Sequence, residues 1–393
     1  MRIGFVYDAA YPWVNGGAER RYHELAKRLA TRHEVHYVTW RHWEGADDIV
    51  RDNVHLHGLG RAPQFYGQDG KRTVAEAVSF SARLATFMAR QRWDVIDCSA
   101  TPYLPLYAMW IATRWSGVPF IATWHEFWGQ RWNEYLPGRT TVAKAAMRIE
   151  SGSRHFGDAL VAVSEFTARE LGSTSPSKAI QVVPNGVSLD EIRAVPKQRR
   201  NVDLVYLGRL IDEKRVDLLV EAVHRLRPTL PQLRCVVIGD GPEREALERL
   251  ARSLGVEEQI EFRGRLDTRE SIVLLKSATA LVQPSAREGF GMSIIEAQAC
   301  GTVPIVVTGR WTAAADLVED GVSGLICQPT AESIADAVMR LICNPVRQAS
   351  MATAAERAAA LFDWDEIADT MEGIYVEHAT KGRRVPLGRP RCS

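Results

Sequence analysis

The sequence predicts an α/β protein of two doubly wound domains, each a mostly parallel sheet with helices on both faces. Three observations carry that expectation. The chain has 393 residues, 46% of them hydrophobic, more than the roughly 250 at which a single core stops growing. Short β-branched runs alternate with stretches of helical periodicity, the pattern of parallel strands joined by crossover helices. The alternation also occurs twice, with one aperiodic stretch between the two cycles.

In the first cycle, residues 2–7 (RIGFVY) form a short apolar run, followed by a glycine-containing loop and a 3.6-period helix over 18–30. Further strands are predicted at 35–39, 54–59, 95–98, 119–123 and 159–163. The second cycle opens with a strand at 202–207 (VDLVYL), then a helix over 216–225, a strand at 234–238 and a helix over 243–254, with strands at 259–262, 280–282 and 303–307. Pro184, Asn185, Gly186, Pro196 and the basic run 197–200 break the periodicity, which predicts a linker. The expected organisation is therefore a Rossmann-like domain over 1–183, a linker over 184–200 and a second Rossmann-like domain over 201–362. A C-terminal helix and tail, 363–393, can pack on either domain. Ligands of such sheets bind at the carboxyl ends of the strands.

Composition removes several functional classes. The 49 basic and 48 acidic side chains leave a formal charge of +1, so no global field holds a nucleic acid. No run approaches the roughly 20 apolar residues of a membrane span, and the chain opens on a strand rather than a leader, so a cytoplasmic location without membrane insertion is expected. The six cysteines (Cys98, Cys235, Cys300, Cys327, Cys343, Cys392) are far apart and make no C-x-x-C pair, which suggests neither zinc nor a disulfide framework. The single Asp-x-Asp triplet, Asp363-Trp364-Asp365, precedes the last helix, where a helix cap accounts for it. No metal and no cofactor are expected.

Four segments carry candidate chemistry. In the first loop, Asn15-Gly16-Gly17-Ala18-Glu19, two glycines let backbone approach a ligand and the helix start favours phosphate; a plain tight turn is the competing reading. Gly208-Arg209 ends the first strand of the second domain, and Lys214 lies five residues on. Two cations there suit a diphosphate, because they stabilise the charge that develops as it leaves; the alternative is a pair of solvated surface charges. The segment from Glu288 through Gly289, Phe290, Gly291 and Met292 to Glu296 enters a helix after an apolar strand. Its amides can meet phosphate and Glu288 can accept from ligand hydroxyls, while Ser293 and Glu296 match a capping box. His125 follows the strand at 119–123, where a polar side chain faces the ligand edge. The aromatic and basic stretch around Trp110, Trp115, Trp124, Trp128, Trp132 and Tyr135, with Arg114, Arg131 and Arg139, can stack on sugar rings or pack in a core. Asn15, Tyr103, Trp128 and Arg131 are weaker candidates to contact a second ligand.

The two-glycine loop, Gly208-Arg209 with Lys214, and the Glu-x7-Glu segment from Glu288 to Glu296, in that order, resemble the retaining glycosyltransferases of family 4. VPNGV at 183–187, GDGP at 239–242 and FDWDEIA from Phe362 extend the resemblance over nearly the whole chain. It implies the GT-B fold and transfer of a sugar from a nucleotide diphosphate sugar, with the acceptor on the domain over 1–183 and the donor on that over 201–362. It implies that Gly16 and Gly17 approach the donor phosphates, that Arg209 and Lys214 grip the diphosphate, and that Glu288 contacts the sugar and Glu296 the ribose. The amides of Phe290, Gly291 and Met292 would meet the sugar and β-phosphate, and His125 would help position the sugar. UDP is the carrier that family members use most. The chain departs from the family after the strand at 303–307, where it has Thr308-Gly309-Arg310-Trp311-Thr312. It also lacks the Lys-rich amphipathic helix by which some relatives reach lipids, the stretch 71–92 being only mildly basic.

The expected activity is transfer to a small soluble acceptor. The 41 Arg against 8 Lys, with abundant Ala, points to GC-rich coding DNA and to a natural-product or aminoglycoside-like acceptor, with a cell-envelope glycan as the alternative. A sugar-nucleotide epimerase and a non-catalytic nucleotide-sugar binder share the expected fold. The first needs no acceptor, and the second never releases nucleotide.

Overall fold

The structure, a computed structural model, describes residues 1–65, 73–172 and 178–382. The chain divides into two compact units. One comprises residues 1–185 together with the chain from Asp365, and the other runs from Gly186 to Trp364.

In the first unit, β1 (Arg2–Val6) leads through a long loop into α1 (Gly17–Leu29), and then β2 (Glu34–Arg41), β3 (Asp48–Arg51) and β4 (Val54–Arg61) follow. After α2 (Val74–Ala89) come β5 (Val95–Ser99), α3 (Leu104–Ser116), β6 (Phe120–Trp124), α4 (Trp132–Tyr135), α5 (Thr140–Ser153), β7 (Ala159–Ala162), α6 (Glu165–Gly172) and β8 (Ile180–Val182). The sheet order is β3-β4-β2-β1-β5-β6-β7-β8. All of its pairings are parallel except β3 with β4. β5 and β6 are buried along their whole length, as strands covered on both faces must be. β4 falls where a strand is expected, but β3 and its hairpin with β4 are not among the expected elements although the sequence signals them. Asp52 and Asn53 both take positive φ, 52° and 61°, the backbone of a two-residue turn that returns a strand antiparallel.

A buried carboxylate ties the centre of this unit together. Asp97, on β5, accepts from the hydroxyls of Tyr22 at 2.9 Å, Thr123 at 2.8 Å and Tyr375 at 2.6 Å. Burial pushes its pKa up; the three hydroxyls and the nearby Arg21 cation pull it back. Arg21 is itself fully buried and donates to the Pro184 carbonyl at 2.5 Å and to Asn185 Oδ1 at 3.2 Å. Tyr375 lies on the C-terminal helix, Trp364–Gly382, which also meets α1 and the turn after it. Arg32 pairs with Asp369 and Glu372 at 2.7 and 2.8 Å, and Arg28 pairs with Asp365. The last helix thus packs with the N-terminal residues. The tail, 383–393 with Cys392, and residues 71 and 72 of the mildly basic stretch lie outside the described residues.

The second unit begins with α7 (Leu189–Ala194), within the stretch expected as linker, and continues with β9 (Val202–Leu207), α8 (Val216–Leu226), β10 (Cys235–Ile238), α9 (Arg244–Ser253), β11 (Ile260–Gly264), α10 (Thr268–Ser277) and β12 (Ala278–Gln283). Then come β13 (Arg287–Glu288), α11 (Met292–Ala299), β14 (Val303–Val307), β15 (Trp311–Thr312), β16 (Leu325–Cys327), α12 (Ala331–Ile342) and α13 (Pro345–Ala359). The main sheet is wholly parallel, in the order β11-β10-β9-β12-β14-β16. α8 buries Val216, Leu219, Val220 and Val223 on one face, and a capping box of Asp267 and Glu270 starts α10. The chain order reverses between β9 and β12, so the loops leaving those two strands diverge at their carboxyl ends and leave the crevice in which such sheets take ligands.

Candidate functional site

That crevice is flanked by the segments carrying Arg209, Lys214 and Glu288. β9 ends at Leu207, and the chain runs through Gly208 and Arg209 to a 3-10 turn, Asp212–Lys214. Arg215 closes the turn in the left-handed region at φ 49°. From the end of β12, residues 284–291 lead into α11. The two loops are joined by the Ala286 amide donating to the Glu213 carbonyl at 3.0 Å. Lys214 Nζ meets Glu288 Oε2 at 2.5 Å, both side chains being less than a fifth exposed. Gln283 donates to the same oxygen at 3.3 Å. Arg209 is exposed, and its carbonyl accepts from the Tyr206 hydroxyl at 2.9 Å. Burial raises the Tyr206 pKa, Glu288 raises it further, and the Arg209 cation opposes them. The Tyr206 hydroxyl therefore senses both charges.

Glycine makes this edge possible. Gly239 takes φ 141°, and a Cβ there, or at Gly241, would overlap the carbonyls of Gly208 and Leu210 respectively. The GDGP turn therefore packs directly against the backbone carrying Arg209. Gly239→Ala should cost more than the 1–3 kcal/mol of backbone strain alone, because the Gly208–Arg209 segment must also shift. A thermal melt with unchanged midpoint would contradict this.

β13 pairs with β15 in the register Glu288↔Thr312, and the Ala313 amide donates to the Glu288 carbonyl at 2.8 Å. The unusual Thr308–Thr312 segment thus fastens the backbone that presents Glu288. α11 is preceded by Gly291 at φ 114°, with no side chain capping it, so its first amides remain available to an anion. Ser293 and Glu296 do not form the capping box that their spacing suggests. The left-handed glycine starts the helix at Met292, which puts Ser293 and Glu296 inside it, and Glu296 sits half-buried on the second turn. The side chain of Phe290 is buried and meets Phe362 edge-on at 5.8 Å.

In the first unit, Gly16 has extended backbone, φ −159°, so its lack of a Cβ matters for space alone. A Cβ would overlap the carboxylate of Glu19. Gly17 begins α1. With Glu19 beside it, this helix start carries its own negative charge and is a weaker anion cradle than α11. Asn15 is exposed.

His125 follows β6, with its ring 6.4 Å from Tyr7 and 5.8 Å from Tyr22, and neither ring nitrogen has a protein partner. Burial, and after it the Arg21 cation, pushes the ring down to about 3. A neutral imidazole with two unused nitrogens can donate to one hydroxyl and accept from another. His36 on β2, 3% exposed, is pushed down by burial to about 4 against a smaller opposing pull from Glu34. Both folded values lie below the unfolded value of about 6.5, so the unfolded chain takes up these protons first. Their contribution to stability is whole above about pH 6.5. It is lost as pH falls towards 4, by about 1.4 kcal/mol per pH unit for each ring. Urea midpoints should drop from pH 7 to pH 5 and less steeply in His36→Gln, whereas parallel profiles would contradict the assignment.

Tyr103 and Arg131, expected to face an acceptor, are instead buried at 9% and 4% exposure. The Tyr103 hydroxyl is committed to Glu150 at 2.5 Å, and the Arg131 guanidinium lies 5.6 Å over Phe166. Trp128 is half-buried, against Trp132 and Tyr135. Sequence reasoning missed Glu150, because a single acid among the polar residues of α5 carries no local sign of being buried.

Two doubly wound parallel-sheet units, the second with cations and a carboxylate at its topological switch point, have the GT-B fold. Residues 15–191 match the family described as Glycosyltransferase Family 4, and residues 189–358 match Glycosyl transferases group 1. The chain belongs to glycosyltransferase family 4. It is 28% identical to a glycogen synthase of Mycobacterium tuberculosis, over 99% of this chain and 97% of that one. It is 30% identical to a D-inositol 3-phosphate glycosyltransferase of Salinispora tropica, over 92% and 80%. Its fold matches that of Anabaena Alr3699/HepE, solved in complex with UDP and glucose, with a TM-score of 0.74 at 19% identity over 96% of this chain and 99% of that one. Among the described residues no helix is long and apolar enough to cross a membrane, and no cluster of side chains could hold a metal ion.

Proposed function

We propose that this glycosyltransferase moves a sugar, with retention and without a metal, from a UDP-sugar to a hydroxyl of a small soluble acceptor of the natural-product or aminoglycoside-like kind. The observation that carries the reading is the Lys214–Glu288 contact at the switch point, with Arg209 on the neighbouring strand end. Arg209, Lys214 and the first amides of α11 would stabilise the diphosphate as the sugar–oxygen bond breaks. Glu288, aligned by Lys214, would accept from sugar hydroxyls and Glu296 from the ribose. Neutral His125 would hydrogen-bond the sugar. The acceptor oxygen would attack from the face the nucleotide leaves, its proton passing to a phosphate oxygen of the departing UDP. The fold neighbour holding UDP and glucose supports the carrier. The relative named for D-inositol 3-phosphate, a small polar molecule, supports the acceptor class.

The test is a melt of the protein with UDP, GDP, ADP and uridine. UDP at about one hundred times its dissociation constant should stabilise the fold by about 2.7 kcal/mol, and the other carriers less. An unchanged midpoint with every diphosphate would overturn the reading.

A further inference from the structure

We propose that Trp128, Trp132 and Tyr135 form a stacking platform for the ring of the acceptor, with Glu150 as the positioning residue that sets it; this deepens the reading above and rests on it. Glu150 is fully buried on α5. One carboxylate oxygen accepts from the Tyr103 hydroxyl at 2.5 Å and the Trp128 amide at 2.6 Å. The other accepts from the Gly129 amide at 2.7 Å and from Trp132 Nε1 at 3.1 Å. These four donors fill the roughly four lone-pair sites of a carboxylate, so Glu150 has no capacity left for chemistry. A buried acid is costly unless its partners compensate it, and here every partner lies on or against the turn that follows β6.

The consequence is a fixed aromatic cluster. The Trp128 and Trp132 rings lie 4.9 Å apart at 34°, and Tyr135 stands perpendicular to Trp128 at 4.8 Å. Core packing would hide these rings, as it hides Trp124, yet all three remain half-buried. They sit at the carboxyl end of β6, three to ten residues beyond His125. A rigid, part-exposed aromatic face offers large contact area at low entropic cost and suits the C–H face of a pyranoside or cyclitol. A flexible chain or a flat anionic group has no such face to present.

The experiment is saturation-transfer-difference NMR on the full chain saturated with UDP, using methyl α-glucopyranoside, maltose and myo-inositol as probes and irradiating aromatic protons. Ring C–H protons of at least one probe should take up saturation. That signal should fall at least fivefold in Trp128→Ala and be more than half restored in Trp128→Phe. Glu150→Gln turns an NH2 group towards the donors, frees the turn, and should lower the signal at least threefold while the UDP dissociation constant stays within twofold. No ring signal in the wild type, or signals unchanged in Trp128→Ala and Glu150→Gln, would overturn the platform. Failure of UDP to bind the wild type would instead overturn the donor reading on which it rests.

Discussion

Lys214→Ala should lower kcat/KM by about 10²–10³, the loss seen when one preorganised charge-stabilising donor is removed from a transition state, and Arg209→Ala should do the same. The Lys214 effect has two parts. Removal takes away a cation that would face the leaving diphosphate, and it leaves Glu288, 15% exposed, without its partner at 2.5 Å. An unpaired carboxylate beside a diphosphate repels it, so nucleotide affinity should fall with turnover. Glu288→Gln in the Lys214→Ala background should recover part of the affinity and none of the turnover. Circular dichroism should be unchanged, because both cations lie on strand-end loops rather than in the core. Wild-type kcat/KM in either single variant would remove the clamp.

Asp97→Ala has the largest expected effect on stability, about 3–5 kcal/mol. It leaves the fully buried Arg21 without its compensating charge, the loss typical of breaking one side of a buried pair. It also strands the hydroxyls of Tyr22, Thr123 and Tyr375. Tyr375→Phe removes a single donor and should cost about 1 kcal/mol. Urea denaturation followed by tryptophan fluorescence measures both. Equal small losses would show that the C-terminal helix is held by its apolar contacts and surface ion pairs instead.

Much of the fold was legible because parallel strands buried on both faces read as uninterrupted apolar runs. The strands at 202–207 and 303–307 have the bounds expected of them. What escaped was short or sat at an edge. β8 and β16 have three residues each, and β13 and β15 two; their pairing depends on where the neighbouring strand lies. The side of the last helix was equally hidden, because Tyr375 finds Asp97 across 278 positions of sequence.

The meeting of Lys214 with Glu288 was legible for a different reason. Glycine, cation and carboxylate stand at fixed offsets from strand ends, and a parallel sheet brings those ends together. The burial of Tyr103 and Arg131 was not, since the aromatic and basic stretch around them reads both as a stacking surface and as core. Their burial follows from Glu150 and Phe166, which reach them from α5 and α6. The cap expected at Ser293 and Glu296 failed because a left-handed glycine two residues earlier had already begun the helix.

Isothermal titration of UDP and of uridine into wild type, Arg209→Ala and Lys214→Ala tests the central claim most directly. The clamp predicts that each variant weakens UDP at least tenfold, about 1.4 kcal/mol, and leaves uridine within twofold. UDP affinities equal in all three proteins would contradict it.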